Sequence, residues 1–121
     1  MDLRQSIAVQ TDFSSWLMKQ LISTRVKDNN FVFSPLSIHV VLAMVAVGSG
    51  PPARDQLLRY LMFDSIEELN SLSSQIATRL LADGGPLGGP LLSIANGVWV
   101  ERSLALKPAF IETIENAYGA H

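Results

Sequence analysis

The sequence contains no cysteine, which excludes disulfides and thiolate metal sites and leaves the fold independent of oxidation. Histidine is scarce: His39 lies in an apolar segment and His121 at the last position. Two imidazoles without thiolates, and without an H-E-x-x-H spacing, give no basis for a zinc site, so no metal and no cofactor are expected. Basic residues are few. Nine Lys and Arg stand against eleven Asp and Glu, the formal net charge is -2 and the pI is near 5.5. Nucleic acids and acidic membranes are bound through clustered cations, which this sequence lacks, so neither is expected as a partner. No Asn stands in an N-x-S/T sequon. The opening MDLRQSIAVQTDF has neither the basic start nor the apolar core of a secretory signal. For a chain complete at its start, this predicts an intracellular, cytoplasmic protein.

What is present is hydrophobic. Apolar residues make up 48% of the chain and charged residues 17%, and 121 residues suit one domain or part of one rather than two. The centre of the pattern is Asn30 to Gly50. Phe31, Val32 and Phe33 form a short β-prone run, and Ser34-Pro35 reads as a helix start, with the Ser hydroxyl as cap and Pro at the first helical position. From Pro35 to Val47 only Ser37 and His39 are neither small nor apolar. A helix apolar all round belongs in a core or a bilayer. Thirteen residues reach about 20 Å against roughly 30 Å of hydrocarbon, so a central core helix is predicted.

Around this centre the chain alternates helices and breaks. Val9, Phe13, Leu17 and Leu21 are spaced four apart, with Trp16 and Met18 beside them, and predict an amphipathic helix over the first 26 positions. Lys27 to Asn30 is a polar break, and Gly48-Ser49-Gly50-Pro51-Pro52 stops the central helix. A further helix opens near Pro52, with Leu57, Leu58 and Leu61 as its apolar edge and Phe63 closing it. Ser65 to Glu68 has the form of a capping box, after which Ile66, Leu69, Leu72, Ile76 and Leu80 share one helical face. Asp83 to Pro90 repeats Gly-Gly-Pro and is a loop; without G-K-S/T or a preceding strand it is no phosphate cradle. Leu91 to Val100 is the strongest strand candidate, apolar on both faces and therefore expected in an interior position. Asn96-Gly97 could instead turn a hairpin; one strand with a close approach at Gly97 is preferred. Arg102 to Lys107 forms a turn, and Pro108 opens a last helix with Phe110, Ile114 and Tyr118 on its apolar face, ending at Gly119.

Catalytic constellations are not evident. His39 has only Ser34 and Ser37 as hydroxyls in its own segment and no carboxylate orienter, so it reads as a histidine at a core edge whose nitrogens are satisfied by backbone or water. The carboxylates Asp64, Glu67, Glu68 and Asp83 lie at helix starts or in loops, where the helix dipole and solvation account for them. The chain is not expected to be an enzyme.

Together the motifs resemble the serpin family. N-F-V-F-S-P-L-S-I, followed by an apolar helix with L-A-M, is similar to the family's signature. Asp55 to Leu58 looks like its helix C, Ile66 to Leu81 like helix D, Ile94 to Glu101 like strand 2 of sheet A, and Leu106 to Phe110 with Tyr118 to Ala120 like the two ends of helix E. The opening is similar to plant serpins. The resemblance implies an α+β fold, here mainly helical: helices A to E plus one or two strands over residues 1–121, an incomplete N-terminal part of one domain.

Protease inhibition in this family proceeds by cleavage of a reactive-centre loop that then enters sheet A as a new strand. No such loop matches this chain, about a third of a whole serpin domain. The resemblance therefore implies a serine or cysteine protease inhibitor at the family level and a non-inhibitory chain as it stands; the alternative is a structural or protein-binding fragment. A protease partner is expected only for a longer form, and self-association through uncovered apolar surface is expected for this one. Extracellular location, as for many family members, is the alternative to the cytoplasm. Ser34 and Ser37 correspond to hydroxyls of the shutter beneath sheet A. Two departures stand out: Pro51 and Ala53 replace a common Gly and Thr before helix C, removing a cap and stiffening the turn. Between Ile66 and Ala82 only Arg79 is basic, so heparin binding is not expected.

Overall fold

In the computed structural model, residues 2–25, 28–80, 85–90 and 92–121 are described. The expectations for Lys27, Leu81, Ala82, Asp83, Gly84 and Leu91 lie outside them. Five α-helices follow one another: α1 (Leu3–Arg25), α2 (Pro35–Gly48), α3 (Ala53–Leu61), α4 (Ile66–Gln75) and α5 (Pro108–Tyr118). The chain divides into two compact units, Met1–Glu68 and Leu69–His121, with the division inside the first turn of α4.

Helices α1, α2 and α3 pack on one another in the first unit. Its core is Phe13 of α1, Val40, Ala43, Met44 and Ala46 of α2, Leu58 and Leu61 of α3, and Phe63. Burying each of the larger side chains removes apolar surface from water and contributes about 1.5–3 kcal/mol. Phe13 takes this position on α1 while Val9, Leu17 and Leu21 are half-buried, and Trp16 and Met18 stand in solvent. The central helix departs from expectation. His39, Val40, Ala43, Met44 and Ala46 are enclosed, but Val41 and Val45, on another side of the cylinder, are 49% and 50% exposed. Among the described residues α1 and α3 are the helices that pack on it in this unit, and Val41 and Val45 lie outside their cover.

The breaks follow local chemistry. Ser34 caps α2, with Pro35 at the first turn. Pro52 begins α3 without any side-chain cap, as the replaced Gly and Thr imply. Met62 ends α3 in the left-handed region, φ 63°, and its amide and that of Phe63 bond back to Arg59 and Leu58. This back-bonding closes the helix and turns Phe63 into the core. Ser65 caps the start of α4 by accepting from the Glu68 amide at 3.3 Å, one half of the expected box.

In the second unit Leu69, Leu72, Ile76, Ile114, Tyr118 and Ala120 are buried. The apolar face of α4 is as the spacing predicts, but the helix widens into a π-helical turn over Ile76–Leu80. Gly85–Leu87 is a single 3-10 turn. Helix α5 has Pro108 at its start and ends at Gly119, whose φ of 59° is the left-handed conformation glycine adopts without penalty. The segment 92–100 carries no assigned helix or strand and bonds into no sheet among the described residues. Its interior position is not realised: Leu92, Ile94, Trp99 and Val100 are exposed, Trp99 at 89%. A strand is buried by neighbours on its edges and faces, and among the described residues the backbone groups that bond this segment from outside the adjoining turn are those of His121. The His121 amide donates to the Asn96 carbonyl at 3.1 Å, and the Val98 amide donates to the His121 carbonyl at 3.0 Å. The close approach at Gly97 is made by the Trp99 ring, which lies where a Cβ would stand.

Candidate functional site

The head of α2 is the site to which the sequence points. Ser34 adopts extended backbone, φ -112° and ψ 104°, which lets its hydroxyl accept from the Ser37 amide at 3.3 Å. The Ser37 hydroxyl donates to the same oxygen at 2.9 Å. Both side chains are exposed. The pair is thus a closed local cap in which each hydroxyl has its partner within four residues.

His39, two residues on, sits differently from the expectation. It is fully enclosed, and neither Nδ1 nor Nε2 has a hydrogen-bond partner. Instead of backbone or water, the ring meets Phe13 and Phe63 edge to face, with centroids 5.6 and 5.8 Å away. The cause is its place on the covered side of α2, where carbonyls of the helix are engaged in the helix itself. Burial pushes its pKa down from 6.5 to about 4, so at neutral pH the imidazole is uncharged. Among the described residues no side chain stands in hydrogen-bond reach of either nitrogen.

In the second unit the Tyr118 hydroxyl donates to Asn70 Oδ1 at 2.8 Å. Burial raises the Tyr118 pKa to about 12, opposed by the Ser73 hydroxyl. Ser73 Oγ is itself buried with no partner of hydrogen-bond geometry, so the Asn70 bond is the one that fixes the ring. In the turn after segment 92–100, the Ser103 hydroxyl and amide both donate to the Glu101 carboxylate, the amide at 2.9 Å, and hold that carboxyl below its usual range. Among the described residues no group of three His, Cys, Asp or Glu could hold a metal ion, and no helix is long and apolar enough to cross a membrane. Ser34 and Ser37 come together as the sequence implies. The enclosure of His39 and the Tyr118–Asn70 bond carry no signal in spacing, since each depends on residues distant in the chain.

Among the described residues the structure is mainly helical, five α-helices with no strand assigned. A family model described as Serpin (serine protease inhibitor) matches residues 8–121. Serpin-ZX of Arabidopsis thaliana is 47% identical over 99% of this chain and 31% of its own length. Serpin-Z1C of Triticum aestivum is 42% identical over 98% of this chain and 30% of its own. A protein named Probable non-inhibitory serpin-Z5, also of Arabidopsis thaliana, is 36% identical over 98% of this chain and 28% of its own. The solved structure titled Structure of Arabidopsis AtSerpin1, Native Stressed Conformation, superposes with a TM-score of 0.87 at 47% identity, over 99% of this chain and 30% of that one. The chain belongs to the serpin family. Its similar relatives are plant serpins, and it spans about a third of their length.

Proposed function

We propose that this chain is the N-terminal framework of a plant-type serpin and that, as 121 residues, it does not inhibit proteases. The observation that supports this is the segment 92–100, which has no strand assigned, leaves Leu92, Ile94, Trp99 and Val100 exposed and bonds into no sheet among the described residues. Serpin inhibition requires a sheet that gains the cleaved loop as a strand, because the new ladder of backbone hydrogen bonds drives the distortion of the protease. A segment bonded only at the single residue His121, among the described residues, is not a sheet that can part to receive a strand. The name of the 36%-identical relative, which describes it as non-inhibitory, is in keeping with this reading.

Inhibition of serine or cysteine proteases belongs, on this proposal, to a longer chain carrying a reactive-centre loop. In such a chain Ser34 and Ser37 would stand where the shutter opens, whereas here they cap α2. The chain has no catalytic role, and its environment is the cytoplasm rather than the extracellular space. Neither nucleic acid, membrane nor heparin is a partner, and the chain associates with itself through uncovered apolar side chains. Incubation of the 121-residue protein with trypsin-like and papain-like proteases tests the central claim. Degradation without an SDS-stable complex is expected, and a covalent complex would overturn it.

A further inference from the structure

The first unit holds a niche that neither the serine cap nor His39 uses. Trp16 of α1, Arg59 and Tyr60 of α3, and Met62 at the end of α3 line an open surface concavity of about 240 Å³. Trp16 and Tyr60 meet edge to face, centroids 5.2 Å apart and planes at 81°. Such a pair is a preferred aromatic arrangement, and it braces two walls of the niche against each other. The Arg59 Nε donates to the Asp55 carbonyl at 3.3 Å, and among the described residues the guanidinium makes no other hydrogen bond or ion pair. Its terminal nitrogens therefore remain as donors in the planar fork that suits a carboxylate.

Met62 adds a second kind of observation. A left-handed helix end is the position of Gly or Asn, yet here a long side chain is held at φ 63°. Residues kept in disfavoured backbone regions concentrate at ligand sites. The cap bonds to Leu58 and Arg59 fix this conformation and place the thioether, a soft partner for aromatic rings, in the wall of the niche.

Size and charge select the occupant. The niche is open to solvent, and its volume of about 240 Å³ admits one ring and a short arm lying against its walls. Two aromatic walls favour a flat apolar body, and Arg59 favours an anionic end. We propose that this niche binds a small aryl carboxylate, a single aromatic ring on a short chain ending in a carboxylate. Trp16 and Tyr60 would contact the ring, Met62 would close over it, and Arg59 would pair with the carboxylate.

The probe is 3-phenylpropanoate, titrated into the 121-residue protein carrying Trp99→Phe, so that Trp16 is the sole indole reporter. A saturable fluorescence change with Kd on the order of 1 mM is expected for a ligand of this size. The uncharged 3-phenylpropanamide and the Arg59→Gln variant should each bind about tenfold more weakly. Met62→Gly, which suits the left-handed position and so keeps the fold, should also weaken binding. Absence of saturation, or binding that Arg59→Gln leaves unchanged, overturns the proposal. The titration is run below about 1 μM protein, under the range in which the chain is expected to associate, and does not depend on protease inhibition.

Discussion

Proton binding at His39 is opposed by two phenyl rings and favoured by nothing in its surroundings. Its pKa lies near 4 in the fold against 6.5 when unfolded, so below 6.5 the unfolded chain takes up protons that the folded chain refuses. Stability is therefore fully present above pH 6.5 and is lost as pH falls towards 4, by about 3 kcal/mol at the lower end. Replacing the ring by an apolar side chain removes both the protonation and the unpartnered nitrogens. His39→Leu is expected to gain about 1–2 kcal/mol at pH 7 and to flatten the acid limb, read from urea unfolding of the helical signal at pH 7, 5.5 and 4.5. Equal acid sensitivity in both proteins would dismiss His39 as the source. Tyr118 gives the opposite limb. With its pKa raised to about 12, the phenol stays neutral in the fold, and stability is lost as pH rises from about 10 towards 12. Tyr118→Phe should abolish that limb in an ultraviolet titration and cost about 1 kcal/mol for the lost bond to Asn70.

Helix ends were readable wherever one residue type dictates the backbone. Ser34-Pro35 and Gly119 end their helices as predicted, because a hydroxyl cap, a fixed φ and a residue without Cβ act within a few positions. Ser34→Ala should cost about 1 kcal/mol and leave the Ser37 hydroxyl without its acceptor. The check is urea unfolding, and a loss under about 0.3 kcal/mol, within the scatter of surface substitutions, would mean that solvent replaces the cap. Other element features carried no such mark. Met62 takes a glycine-like conformation held by its own and the next amide's bonds to Arg59 and Leu58, and the π-helical turn at Ile76–Leu80 interrupts a spacing that reads as one continuous helix. The β-prone composition of 92–100 was legible, but whether such a segment is covered depends on partners rather than on its own residues.

Taken as a whole, the chain leaves many large apolar side chains in solvent, Val32 at 96%, Trp99 at 89% and Leu104 at 64% among them. Large apolar side chains left in water favour association. The protein is expected to self-associate between about 1 and 100 μM, a range typical of weak protein contacts, with the Trp99 emission moving to the blue as it does so. Sedimentation that stays monomeric, with unshifted emission, would show that these side chains remain hydrated singly. Family and helix order were legible from motifs spread along the sequence, whereas exposure was not, since it reflects what packs on each face. The two bonds made by His121 carry a direction as well. Its amide reaches back to Asn96 and its carbonyl receives Val98, which is the first rung of a parallel ladder with Gly97 at its centre. The register is already set: in a longer chain the residue two places after His121 would meet the Val98 carbonyl and the Val100 amide. Helix α5 would then be the crossover of a β-α-β unit, whose hand in such units is right.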